Sequence, residues 1–134
     1  MAEKLLEIKN LHVQYHTDDA TVYAVNGLDL TINKGETLGL VGETGAGKTT
    51  TCLSILKLLP NRVGEITAGS ITYNGEDILA ASEERMRDIR GKDISMIFQD
   101  PMSALNPVFT VGDQIGEVVK LHNPSYSNEQ VIER

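Results

Sequence analysis

The sequence predicts an α/β fold in which a phosphate-binding loop joins a buried strand to a helix, with an antiparallel sheet ahead of the loop. Residues 38–41 before the loop form a short apolar run ending at Gly42, which is typical of a buried strand. Residues 50–59 after it are mostly apolar and contain no Gly or Pro until Pro60, as expected of a helix. Residues 4–33 largely alternate apolar and polar side chains, which indicates strands with one buried face.

The loop itself matches the pattern G-x-x-x-x-G-K-[ST] at every fixed position. Its glycines let successive backbone N–H groups point at phosphate oxygens, and the helix that follows adds unpaired N–H groups and the positive end of its dipole. Lys48 can bring a full charge to the β- and γ-phosphates of a nucleotide, and the Thr49 hydroxyl can ligate Mg²⁺. The predicted nucleotide-binding residues of the loop are Gly42, Glu43, Thr44, Gly45, Ala46, Gly47, Lys48 and Thr49.

A chance glycine-rich turn is the alternative to a nucleotide site. The strand signal before the loop and the helix signal after it favour the site, because phosphate binding needs that geometry.

Composition limits the partners of the chain. Its 134 residues allow one domain at most, and a net charge of −7 argues against a broad surface for nucleic acid or anionic lipid. No stretch approaches the ~20 apolar residues of a membrane helix, and the start has no apolar core of signal-peptide length. We therefore expect a cytoplasmic protein.

Cysteine and histidine usage predicts no further chemistry. Cys52 is the only cysteine and lies among apolar residues, so we expect a packed core thiol. His12, His16 and His122 have no ligand-like spacing, and no metal site is expected beyond the Mg²⁺ that accompanies a nucleotide.

In the first half of the chain, the buried positions of the first strand change from even to odd between Ile8 and Leu11. Such a slip reverses the buried face, which predicts a bulge near Lys9 and Asn10. A hairpin loop at 16–20, a second strand and a turn at 33–36 follow.

In the second half, residues 69–73 alternate and lead into Asn74-Gly75, a tight-turn signal. Ser82 is expected to cap a short helix that Gly91 stops, and residues 94–98 form a second apolar strand. Two more helices are predicted, with caps at Thr110 and Ser127.

An aromatic side chain from the leading sheet could stack on a purine. Tyr15 and Tyr23 are the candidates, and core or edge packing is the alternative for both.

Three stretches together resemble the nucleotide-binding domain of ATP-binding cassette (ABC) proteins. They are residues 24–28, 41–49 and 94–107, and the resemblance is closest to subunits that energise oligopeptide, dipeptide and nickel import. Ala104 and Thr49 stand where Ser is commonest in the family, and both substitutions leave the chemistry possible.

The resemblance implies roles that spacing alone does not give. Gln99 matches the glutamine that contacts Mg²⁺ and the attacking water, and Lys48 and Gln99 are the catalytic candidates. Tyr15 matches the aromatic residue that stacks on adenine, in preference to Tyr23, and Thr50 matches a residue that contacts the α-phosphate.

The resemblance also implies the organisation of the chain. Residues 1–36 would be antiparallel β, 37–60 the phosphate-loop strand, loop and helix, 61–98 a β-hairpin, short helix and strand, and 99–134 the glutamine loop and the start of the helical subdomain that contacts a permease. The family's signature, its strand ending in Asp-Glu and its switch histidine do not occur here. The chain is therefore interpreted as the N-terminal part of a longer subunit, in which residues 38–41 lack a neighbouring strand.

Functionally, the resemblance implies an ATP-binding subunit that powers import of peptides, or of a related solute such as nickel, through a membrane permease. The subunit would pair with a second nucleotide-binding subunit, identical or not, at the inner face of the cell membrane. A non-transport ABC ATPase and a binding-only chain without turnover are the alternatives. Whether these residues alone hydrolyse ATP is left open.

Overall fold

The computed structural model describes residues 2–100 and 104–134. They fall into two compact units, Met1–Arg87 and Asp88–Arg134. Pro101, Met102 and Ser103, which belong to the third stretch of the family resemblance, lie outside the described residues.

The first unit is built on a four-stranded antiparallel sheet, as predicted for the start of the chain. The strands are β1 (Lys4–His16), β2 (Thr21–Asn33), β3 (Gly64–Tyr73) and β4 (Glu76–Asp77). Their order in the sheet is β2-β1-β3-β4, so β1 lies between β2 and β3.

The predicted bulge in β1 is confirmed. Leu6 and Ile8 are buried on one side of the slip, and Leu11 and Val13 are buried after it. The pairing with β2 shifts register between Ile8 and Leu11, and Asn10 takes a left-handed φ of 47°. An extra residue at this point returns the apolar side chains to the same face of the sheet.

Both neighbouring strands accommodate this bulge. The Asn10 N–H donates to Asp29 Oδ1 of β2 at 2.7 Å. On β3, Gly69 has a φ of 100°, and a Cβ there would lie 2.4 Å from the Asn10 carbonyl oxygen. Only glycine allows so close a backbone approach, so the irregularity extends across three strands.

Two predicted turns are also present. The Glu36 N–H donates to the Asn33 carbonyl at 3.1 Å and closes the turn after β2. Asn74 and Gly75, with φ values of 49° and 84°, join β3 to β4 as a two-residue turn. Left-handed φ at both positions is the requirement of a type I′ hairpin turn.

Four helices occur in the described residues. They are α1 (Lys48–Ile55), α2 (Glu83–Ile89), α3 (Val111–His122) and α4 (Asn128–Glu133). Helix α1 ends before residue 59 because the chain turns at Leu56 and Lys57, where φ of Lys57 is 53°.

The predicted helix caps are confirmed for the three later helices. Ser82 Oγ accepts from the N–H of Arg85 at 3.1 Å, and Thr110 Oγ1 accepts from the N–H of Asp113 at 3.1 Å. Ser127 and Gln130 form the reciprocal capping box at the start of α4. Each cap satisfies a backbone donor that the helix leaves unpaired.

The prediction that residues 38–41 and 94–98 form strands is wrong for the residues that the structure describes. Residues 38–41 form no ladder, and residues 94–98 make only one isolated parallel bridge, between Arg90 and Ile94. A strand buried on both faces needs neighbours to pair with and layers to cover it. Neither run has them here, since Val41 is 91% exposed and Ile97 is 96% exposed.

Within residues 2–100 and 104–134, no helix combines the length and the apolar character needed to cross a bilayer.

The bulge makes a testable prediction. Asn10→Val should lower the free energy of unfolding by about 1–2 kcal/mol, because a β-branched side chain is strained at a left-handed φ. Lys9→Val, at an exposed neighbouring position, is the control and should change it by less than about 0.5 kcal/mol. Urea denaturation of both variants measures the difference, and equal effects would contradict the bulge.

Candidate nucleotide-binding site

The glycine-rich loop is held against β2. The Ala46 N–H donates to the Glu43 carbonyl at 3.0 Å and closes a turn within the loop. Gly47, the N-cap of α1, has a φ of 88°, and a Cβ there would lie 2.5 Å from the Ala24 carbonyl oxygen. This close approach fixes where α1 begins relative to the sheet.

The start of α1 presents unpaired backbone donors. The N–H of Thr51 donates to the Gly47 carbonyl at 2.9 Å, so it is the first amide bonded in the helical manner. The amides of Lys48, Thr49 and Thr50 precede it and have no partner four residues back within the helix. Together with the helix dipole, they favour an anion at this end.

Lys48 lies across the loop. Its ammonium donates to the carbonyl oxygen of Gly42 and, at 2.9 Å, to that of Glu43. An ammonium has three donors, so one remains for another acceptor. The positive charge therefore lies at the loop carbonyls of Gly42 and Glu43.

The hydroxyls of α1 divide into buried and exposed ones. Thr51 and Ser54 are buried and donate to the carbonyls of Gly47 and Thr50, at 2.8 and 2.7 Å. Thr49, by contrast, is exposed on the first turn. Its hydroxyl is therefore the one of these three that is open to a metal ion.

Cys52 is exposed, so the prediction of a packed core thiol is wrong. The buried positions of α1 are Thr50, Thr51 and Ser54, which share the side of the helix opposite Cys52. Apolar neighbours in sequence suggested burial, but the packed side of this helix carries small hydroxyl residues whose hydrogen bonds are satisfied.

Tyr15 lies next to α1. Its hydroxyl is 3.0 Å from Thr50 Oγ1, and a Cβ on Gly64 of β3 would lie 3.3 Å from its Cε1 atom. Tyr23 on β2 is 64% exposed. The structure thus places Tyr15, and not Tyr23, beside the first turn of α1.

Beside the contact between Gly47 and Ala24, a cleft of about 340 Å³ lies between the loop and β2. Its walls include Val25, Asn26, Val41, Gly47 and Lys48, whereas Tyr15, Thr49 and Thr50 do not line it.

The first unit therefore brings together Tyr15, Thr50 and residues 42–49. Gln99 belongs to the second unit and occupies an exposed position directly after Phe98. Sequence reasoning missed the hydrogen bond between Tyr15 and Thr50, since no local pattern signals a contact between residues 35 positions apart.

The residues present fit a magnesium polyphosphate. The first-turn amides and the Lys48 ammonium supply donors and charge for phosphate oxygens, and the Thr49 hydroxyl is a ligand type that Mg²⁺ accepts.

Two loop glycines give a matched test of the contact with β2. Gly47→Ala should lower the free energy of unfolding by more than about 3 kcal/mol, because the added methyl overlaps the Ala24 carbonyl. Gly45→Ala has the same sign of φ, 85°, but open space, and should cost only about 1–2 kcal/mol. Thermal and urea unfolding measure both, and equal losses would rule out the close approach.

Comparison with known proteins identifies the family. The sequence profile described as ABC transporter matches residues 25–134. The dipeptide transport ATP-binding protein of Bacillus subtilis is 51% identical over 120 residues, and the oligopeptide transport ATP-binding protein of the same organism is 45% identical over 119. These alignments cover 90% and 89% of this chain but only 36% and 33% of those proteins.

The fold agrees with this match. A dimeric ATP-binding cassette, solved in a post-hydrolysis state with ADP and Pi, superposes with a TM-score of 0.77 at 20% identity. The superposition covers 95% of this chain and 52% of the cassette. The predicted resemblance and fold class are confirmed, and the chain belongs to the ABC transporter family.

Proposed function

We propose that this chain is part of the ATP-binding subunit of a peptide importer. The observation that carries the proposal is the loop at residues 42–49, where the Lys48 ammonium lies across the loop and the first three amides of the following helix are unpaired. The identity of 45–51% to relatives named for dipeptide and oligopeptide transport supports the peptide as the transported solute.

The adenine end of ATP would lie at the sheet, and its phosphates would lie at the loop. Tyr15 would stack on the adenine ring, and Thr50 would contact the α-phosphate. Residues 42–49 would wrap the β- and γ-phosphates, with Lys48 as the cation. Thr49 would ligate Mg²⁺, and the family resemblance gives Gln99 the role of a further Mg²⁺ contact.

The exchange of hydrogen bonds at Lys48 would make this binding specific for phosphate. Its ammonium donates to two loop carbonyls, which are neutral acceptors. A phosphate oxygen is an anionic acceptor, and its negative charge attracts the ammonium more strongly than the dipole of a neutral carbonyl does. Lys48 would therefore turn to the phosphate.

Hydrolysis is proposed for the assembled transporter. When bound, Mg-ATP would supply a γ-phosphoryl group whose transfer to water, giving ADP and phosphate, is the exergonic reaction that drives transport. Lys48 would stabilise negative charge and Gln99 would orient the attacking water, because phosphoryl transfer depends mainly on positioning and charge stabilisation. The family's acidic pair and signature do not occur in this sequence, so these groups would come from elsewhere in the transporter.

The second unit offers a surface for a membrane partner. Helix α3 has an apolar stripe, formed by Val111, Ile115, Val118 and Leu121, of which each is more than half exposed. On another side of α3, Gly116 faces α4, and a Cβ there would lie 3.3 Å from Val131 Cγ1. The stripe is thus left uncovered by α4 and would bind a permease subunit at the inner face of the cell membrane.

Nickel is the alternative solute, because the permease and an external binding protein would determine which solute is transported. A second nucleotide-binding subunit, identical or not, would pair with this one; the solved cassette of the same fold is a dimer.

Lys48 provides the direct test of nucleotide binding. Lys48→Ala should weaken Mg-ATP binding at least about tenfold, since a charge-assisted contact to phosphate is lost. Lys34→Ala removes an exposed lysine that pairs with Glu3 at 2.6 Å and should leave the affinity unchanged. Calorimetric titration of both variants with Mg-ATP measures the two affinities. Wild-type affinity in Lys48→Ala would overturn the assignment of the nucleotide site. Turnover measured beside binding separates an ATPase from a binding-only chain.

The α3 stripe provides the test of the membrane partner. Ile115→Gln and Val118→Gln should reduce recovery of the full-length protein with washed membranes that contain its permease, because they place polar groups on the proposed contact. Glu117→Gln, on the same helix at an exposed polar position, is the matched control. Unchanged recovery for all three would argue against this surface.

A further inference from the structure

The hydrogen bond between Tyr15 and Thr50 links the end of the sheet to the first turn of α1. The two oxygen atoms are 3.0 Å apart. Thr50 is 8% exposed, so its hydroxyl is largely shielded from water and Tyr15 is its side-chain partner in the structure. Breaking this bond would leave a shielded polar group without a partner, which costs free energy.

A second contact fixes the tyrosine ring. Tyr15 pairs with Gly64 across β1 and β3. A Cβ at residue 64 would lie 3.3 Å from Tyr15 Cε1 and 2.9 Å from Leu59 Cβ, so the absence of a side chain there leaves room for the ring edge. The Tyr15 ring therefore has space beside β3, and its hydroxyl is bonded to Thr50.

The chemistry of the two hydroxyls favours one direction for the hydrogen bond. Each hydroxyl has one proton and can accept two hydrogen bonds. A phenol O–H is more acidic than an aliphatic alcohol O–H, so it is the better hydrogen-bond donor. When Tyr15 donates to Thr50 Oγ1, Thr50 keeps its own proton for another acceptor.

Thr50 stands where such an acceptor would be a phosphate oxygen. Its backbone N–H is one of the three first-turn amides that have no partner within the helix. Consecutive hydroxyl hydrogen bonds polarise one another, so donation by Tyr15 strengthens donation by Thr50.

We infer that Tyr15 acts on the phosphates as well as on the base: it donates to Thr50, and Thr50 in turn donates to the phosphate nearest the nucleoside. This inference rests on the proposed function. Tyr15 is in this respect a positioning residue, because it acts on the phosphate through Thr50. If Tyr15 acted only by stacking on the base, its hydroxyl would not affect the binding of a polyphosphate that has no base.

Magnesium tripolyphosphate, which has no base, separates the two roles. In the full-length protein, Tyr15→Phe keeps the ring and should weaken Mg-tripolyphosphate binding about three- to tenfold. Thr50→Val should weaken it similarly, Thr50→Ser should retain it, and the double variant Tyr15→Phe/Thr50→Val should be no weaker than Thr50→Val alone. Tyr23→Phe, at a 64% exposed tyrosine of β2, is the control and should bind as the wild type.

The outcomes distinguish this inference from the proposed function. Wild-type tripolyphosphate affinity in Tyr15→Phe, or additive losses in the double variant, would overturn the hydroxyl relay while leaving the loop in place. Wild-type affinity in Lys48→Ala would instead overturn the phosphate site itself. Thermal unfolding of each variant shows whether a loss of binding comes from a loss of folded protein.

Discussion

The unpaired amides at the start of α1 are the feature that the rest of the first unit supports. They stay open because Gly47 caps the helix through its backbone alone, with no side-chain hydrogen bond. The same glycine permits the approach to the Ala24 carbonyl that anchors the loop on β2. The Lys48 ammonium donates to two carbonyls of the loop, which places a positive charge there. An anion site of this kind needs little net positive charge, which reconciles it with a chain of net charge −7.

The bulge in β1 determines the position of Tyr15, just as the strand pairing does. The bulge at Asn10 restores the buried face of β1, so that Leu11 and Val13 are buried and Tyr15, on the same side, reaches Thr50. Without the bulge, Tyr15 would point to the opposite face of the sheet. A single inserted residue, five positions earlier in the strand, thus determines whether an aromatic ring stands beside the phosphate loop.

Local signals predicted local structure well. The caps at Thr110 and Ser127 and the turn at Asn74 depend on hydrogen bonds and φ values within a few residues, and all three are present. The same sequence could not predict whether residues 38–41 and 94–98 pair, because pairing depends on strands distant in sequence. The exposure of Cys52 likewise depends on which side of α1 meets the sheet. For the candidate site, the motif predicted the loop. It could not predict the hydrogen bond between Tyr15 and Thr50, because this bond joins elements that are distant in sequence.

Amide hydrogen exchange along α1 tests the central claim most directly. If the first-turn amides hold a polyphosphate, saturating Mg-ATP should slow exchange at Lys48, Thr49 and Thr50 by about tenfold or more, because each N–H acquires a phosphate acceptor. The amides of Asn33, Lys34 and Glu36, whose acceptors lie on Glu36, Glu3 and Asn33 and not on the loop, should exchange at the same rate with and without nucleotide. Unchanged exchange at the start of α1 in a folded protein that binds Mg-ATP would show that the nucleotide is held elsewhere, and would contradict the account.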